Sequence, residues 1–349
     1  MQVESLTDFK SHLQHILDRN TKSLKAFGET HATQIKTYLI ESNAKIVDLP
    51  LLGSTWRKME TKGWYSSEGG KHGGQFFLDS NGKRVWRLFS TAKADSSDGL
   101  VQRWMQASRG LDACWLPREH LLHWSKIENW RERGVGLRYQ DALTSTEDSA
   151  AFSLKAWRSP KRILKSLDKL INEAEEELTI HSIRWEHRNN GTVDLLAESF
   201  NDGKITFTRA DDVDDVLYFS SELATSYENL LSEADRLRTK FSAPFELGFS
   251  QKVDLDAFGT CVRAGRGPLK LWLTEVEREG DDLRRYRGVD MHTGDRVALD
   301  MGKSFAYLSV PKQGCVNAVT RLASVQGESI TGKTTIFFDG EPLIAGANH

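Results

Sequence analysis

A chain of 349 residues is too long for one ordinary hydrophobic core and fits two or three domains. Lys and Arg number 47 against 49 Asp and Glu, so a net charge of −2 supplies no global field, and a histone-like or tail-driven nucleic-acid binder is excluded. Three cysteines, Cys114, Cys261 and Cys315, show no CxxC or Cys/His spacing, which leaves out a disulfide framework and a zinc module and points to a reducing cytoplasm.

No run of about 18 apolar residues predicts a membrane span, and Met1–Asp8 is polar with no apolar signal core. Apolar residues at Leu6, Phe9, Leu13, Ile16 and Leu17, and again at Ile35, Leu39 and Ile40, have helical spacing, so residues 1–50 are expected to be a helical segment with Thr7 or Asp8 as N-cap.

Residues 51–145 read as an α+β domain. From Leu52 to Gly74 the chain is rich in Gly and Ser and carries Trp56, Trp64 and Tyr65 among Arg57, Lys58, Lys62 and Lys71, and the reading is a mobile loop. Trp56, Trp64 and Tyr65 are candidate partner-binding anchors; the same rings suit burial over a neighbouring sheet equally well. Gln75–Leu78 and Arg84–Ser90 flank Asp79-Ser80-Asn81-Gly82, a strong hairpin signal. A helix over Asp98–Ala107, a strand at Asp112–Leu116 and a helix opened by Pro117 follow. The acidic stretch Thr144–Ala150 reads as a linker.

The remainder predicts two similar modules, 151–240 and 241–349, each strand, helix, three strands, helix, packed together, with a C-terminal strand at Ile336–Phe338. The first takes Phe152–Trp157, a helix over Pro160–Ile171, strands at Thr179–Trp185, Val193–Phe200 and Lys204–Arg209, and a helix over Glu222–Leu231. The second repeats this from Phe245–Phe249 through Val253–Val262, Leu269–Thr274, Arg285–Met291 and Arg296–Met301 to Cys315–Leu322. The fold class expected is α+β.

Two basic clusters are candidate nucleic-acid contacts. Lys155, Trp157, Arg158, Lys161, Arg162 and Lys165 surround a helix N-terminus, where cations and free amides point the same way; Glu173 and Glu175–Glu177 could instead answer those charges. Arg284, Arg285 and Arg287 with Tyr286 could hold phosphate and stack on a base, although Glu275, Glu277 and Glu279 nearby make cross-strand pairing the more economical account. Catalytic signals are thinner. Gly327–Thr334 satisfies the Walker A pattern but stands after a helix and before a β-favouring run, the reverse of a phosphate cradle. Asp194 and Glu198 share a strand face with Lys204 on the hairpin partner, and Asp211, Asp212, Asp214 and Asp215 read as a solvated turn. The expectation is a non-catalytic intracellular binding subunit, without cofactor or membrane contact, that meets nucleic acid, partner proteins or both within a larger assembly. The alternative is an enzyme, either a metal-dependent nuclease on Asp194 and Glu198 or a nucleotide-hydrolysing protein on Lys333.

Overall fold

The computed structural model describes residues 3–27, 34–45, 54–68, 74–123, 130–140, 151–157, 179–189, 192–241, 243–265, 267–326 and 334–343. Helix α1 (Leu6–Phe27) opens at Ser5, not at Thr7 or Asp8. The Asp8 amide donates to Ser5 Oγ (3.1 Å) while the Ser5 amide donates to Asp8 Oδ2 (3.1 Å), the reciprocal arrangement that satisfies two free donors at a helix start.

The second expected N-terminal helix is a strand, β1 (Ile35–Ser42), with all eight residues buried. Burial on both faces removed the alternation that marks a half-exposed strand, and the apolar spacing left behind imitated a helix. The Trp-rich stretch forms β2 (Arg57–Lys58) and β3 (Trp64–Glu68), so its loop reading fails at those residues; 69–73 lie outside the described residues. The hairpin of β4 (Gln75–Asp79) and β5 (Val85–Ser90) pairs as expected, with the Asn81 amide donating to Asp79 Oδ1 in its turn (3.0 Å). Then come α2 (Ala94–Ala107), β6 (Leu111–Ala113), α3 (Arg118–His123) and the unanticipated β7 (Trp130–Gln140).

β8 (Ala151–Trp157), β9 (Thr179–Asn189), β10 (Thr192–Phe200), β11 (Lys204–Ala210) and α4 (Val213–Phe241) follow the order expected of the first module; its opening helix falls outside the described residues. The second module runs β12 (Phe245–Phe249), α5 (Leu255–Ala264), β13 (Leu271–Glu279), β14 (Leu283–Asp290), β15 (Arg296–Gly302) and α6 (Asn317–Gln326). It carries one strand more than expected, β16 (Phe305–Ser309), before α6. In Phe-Ala-Tyr-Leu-Ser the aromatics point outward and Ala306 inward, which inverts the usual pattern and concealed the strand. β17 (Thr334–Phe338) and β18 (Glu341–Pro342) finish the described chain.

The protein is α+β, with two antiparallel sheets among the described residues. One has the order β2-β3-β4-β5-β1-β11-β10-β9-β7-β8 with β6 added to β1; the other has the order β13-β14-β15-β16-β12-β17-β18. Two compact units are formed, Met1–Cys114 with Ser125–Glu132 and Arg184–Glu228, and Trp115–Trp124 with Arg133–Ile183 and Asn229–His349. In the first unit Tyr38, Ile40, Leu78 and Leu88 pack on Leu100, Val101 and Trp104 of α2. The opposite face sets Phe77 and Phe89 against Phe9 of α1, at ring distances of 4.8 and 5.4 Å. None of the helices among the described residues is long and apolar enough to cross a membrane.

Candidate nucleic-acid interface

The seven-stranded sheet of the second unit is covered on one face and open on the other, and strand alternation decides which side chains go where. Leu271, Leu273, Tyr286, Val297, Leu299 and Leu308 are buried on the covered face. There Phe258 of α5 meets Tyr286 edge to face at 5.8 Å. Asp254 caps α5 by accepting from the Asp256 and Ala257 amides (2.9 and 3.0 Å), and burial raises the Tyr286 phenol to about 12.

On the open face the register builds cross-strand rows. Trp272, Val289 and Arg296 form one row over β13, β14 and β15; Thr274, Arg287, Ala298 and Ser309 form the next, which reaches β16; Arg285, Asp300 and Tyr307 lie in a third. Trp272 is 58% exposed and Tyr307 38%. A groove of about 610 Å³ opens beside the first two rows, lined by Arg287, Val289, Arg296, Ala298, Ser309 and Pro311. Its Pro311 side is fixed by Arg238 of α4, which donates to the carbonyls of Pro311 (2.7 Å), Lys312 (2.8 Å) and Gly314 (2.6 Å). Trp272 rests on Gly265, the left-handed C-cap of α5 (φ 61°), where a Cβ would stand 3.2 Å from the tryptophan's Cβ, Cγ and Cδ1.

The three expected arginines divide between the faces. Arg284 points inward, 2% exposed, and donates to the carbonyls of Gly280 (2.7 Å) and Leu283 (3.1 Å), so it is not beside the other two. Arg285 faces outward and pairs with Glu277 (2.7 Å), with Glu279 at 3.6 Å and Asp300 at 3.8 Å; its hydrogen bond to Glu277 holds the guanidinium above its ordinary range. Arg287 pairs with Asp300 at 3.0 Å. Arg296, which the sequence reading did not single out, is exposed and makes no ion pair among the described residues. Trp272 and Tyr307 were missed as well. The alternation Leu271-Trp272-Leu273-Thr274 carried the signal, since it turns an indole away from the leucines.

The other candidates are dispersed. Lys155 is exposed on β8 and Trp157 closes that strand opposite Gly134; Arg158, Lys161, Arg162 and Lys165 lie outside the described residues. The aromatics expected as anchors pack inward. Trp64 is 5% exposed and stacked on Phe89 (5.9 Å, 14°), because its alternation in β3 turns it to the core; Trp56 and Tyr65 are partly buried against that unit's other apolar cluster, Trp56 at 5.6 Å from Trp104.

Asp194 hydrogen-bonds His187 Nδ1 at 2.8 Å, and Asp215, in the first turn of α4, is held above the usual carboxylate range by burial and by Asp194. Lys204 pairs with Asp98, which also accepts from the Tyr38 hydroxyl at 2.5 Å. Nearby Lys36, 2% exposed, donates to the Ala92 carbonyl, and burial together with Lys204 pulls it down to about 8. Gly327–Lys333 lie outside the described residues, and the elements on either side are α6 before and β17 after, the reverse of the strand-to-helix order that makes a phosphate cradle.

Comparison with known proteins places these features in a family. Over 352 aligned residues, 85% of this chain and 84% of the relative, the sequence is 21% identical to a protein of Methanocaldococcus jannaschii described as uncharacterized protein MJECL33. The family model described as MJECL33-like protein matches residues 1–326, and the chain therefore belongs to the MJECL33-like protein family.

Proposed function

We propose that this protein is a cytoplasmic, non-catalytic binding subunit that contacts nucleic acid through the open face of its seven-stranded sheet. The observation that carries the reading is Trp272, 58% exposed between two buried leucines, in one row with Val289 and Arg296, which line a groove with Arg287 and of which Arg296 has no carboxylate partner among the described residues. An exposed indole in the outer face of a sheet costs apolar hydration with no gain in folding, whereas beside guanidinium groups it suits a base and its phosphate. Arg287 keeps its fork near the groove through a single carboxylate, Asp300, which orients it without closing it off from solvent.

The test is binding of a fluorescein-labelled oligonucleotide to the full chain by anisotropy, with Arg296→Glu as the discriminating variant. Reversing this exposed cation should weaken binding severalfold and leave the circular dichroism melt unchanged. Equal binding by the variant and the parent removes this face from the proposal.

A further inference from the structure

We infer that the ligand of this face is an unpaired strand held chiefly by ring stacking, with a small share from charge; this rests on the nucleic-acid reading above. The first argument is spatial. Trp272 on β13 and Tyr307 on β16 stand three strands apart, and their rows are four residues apart on β15, from Arg296 to Asp300. With about 4.8 Å between strands and about 3.4 Å per residue, the two rings lie about 20 Å apart on a diagonal. Arg287 sits between them in the middle row. A chain of a few nucleotides covers that span, at the short end of known single-strand site sizes of about 4 nucleotides upward.

The second argument concerns the shape of the alternative ligand. In a duplex the base faces are already stacked on one another, and a major groove about 12 Å wide admits a two-stranded ribbon but not the flat of a seven-stranded sheet. Trp272 and Tyr307 would then meet only backbone, where an aromatic ring has little to gain. Unpaired bases offer their faces to both rings, and Phe305, 5.2 Å from Tyr307, widens the second platform.

The third argument is the charge count. Arg285 is answered by Glu277 and Asp300, and Arg287 by Asp300, so Arg296 is the one outward arginine of these rows without a carboxylate among the described residues. Few counterions are displaced by such a surface. The logarithm of the binding constant should fall with the logarithm of salt at a slope of about −1, far from the steep slopes of phosphate-dominated binders.

A labelled mixed-sequence strand and the same strand annealed to its complement, titrated against the full chain at several salt concentrations, decide the matter. The single strand should bind at least about tenfold more tightly than the duplex, Trp272→Ala should lose about tenfold, and Trp272→Phe should keep most of the affinity. If the duplex binds as well as the single strand, or the salt slope is steep while Trp272→Ala is neutral, stacking on an unpaired strand is refuted and the nucleic-acid interface itself stands. If neither form binds, the interface reading fails and this inference falls with it.

Discussion

Trp272 and Arg296 flank Val289 in a single cross-strand row, so an indole and an exposed guanidinium stand two strands apart on one open face. At about 10 Å their direct interaction is negligible, and their effects on folding should add. A ligand that touches both would couple them. A double-mutant cycle with Trp272→Ala and Arg296→Ala should therefore show stability changes within about 0.5 kcal/mol of additive, and a binding coupling above about 0.5 kcal/mol. Additivity in both measurements would separate the two residues into unrelated features.

The seat under Trp272 gives a second prediction. Gly265→Ala places a methyl group 3.2 Å from three tryptophan atoms at a backbone φ of 61°, whereas Gly267, at φ 85°, has nothing within 4 Å of an added Cβ. Both alanine variants should lose about 1 kcal/mol to left-handed strain, read from urea midpoints. Only Gly265→Ala should also weaken oligonucleotide binding, because only it pushes on the indole. Equal losses of affinity would mean that the loop, not the ring it supports, matters.

Beneath the sheet, Arg321 of α6 is fully buried, pairs with Asp290 at 2.5 Å and donates from Nε to the Leu269 carbonyl at 2.7 Å. Removing the cation strands a carboxylate that is 1% exposed, and loss of one partner in such a pair costs about 3–5 kcal/mol. Arg321→Met should lower the urea midpoint sharply. Asp290→Asn added to it should restore part of the loss, since the remaining group is neutral and still accepts from the His292 amide, now at 3.0 Å from Asp290 Oδ1. A double variant no more stable than Arg321→Met would show that packing around the guanidinium, not charge pairing, dominates there.

Where one face of a strand is wet, as in β13 to β15, alternation made the sequence readable, and the β4–β5 hairpin, buried on both faces, was readable from its Asp79–Gly82 turn chemistry instead. Where both faces are buried, as in β1, the period vanished and a helix was expected in its place. The candidate interface was half legible. Arg285 and Arg287 could be read as sharing a face, and their competition with Glu277 was foreseeable from the same hairpin. Arg284 facing inward follows from that alternation too. The role of Trp272 depends on which strands lie beside β13 and β14, and that order, with β12 inserted between β16 and β17, is a long-range property that no local pattern carries.

Lys36 provides a pH-dependent test that is independent of any ligand. In the native state its ammonium is buried beside Lys204 and titrates near 8, against an ordinary value of 10.5 expected of the unfolded chain. Between those values the unfolded state holds the proton that the native state has released, so stability contributed by this group rises as the pH climbs through that window. Below it the native state bears the full cost of a buried ammonium, relieved by the carbonyls of Ala92 and Gln34 and by the charges of Asp98 and Asp95. One lysine can contribute at most about 1.4 kcal/mol per pH unit to the slope. Urea denaturation from pH 7.5 to 10.5 should show that positive contribution in the parent and its loss in Lys36→Met, whose apolar chain fills the same space without titrating. A variant whose slope equals the parent's would place the proton release elsewhere and leave Lys36 protonated throughout the window.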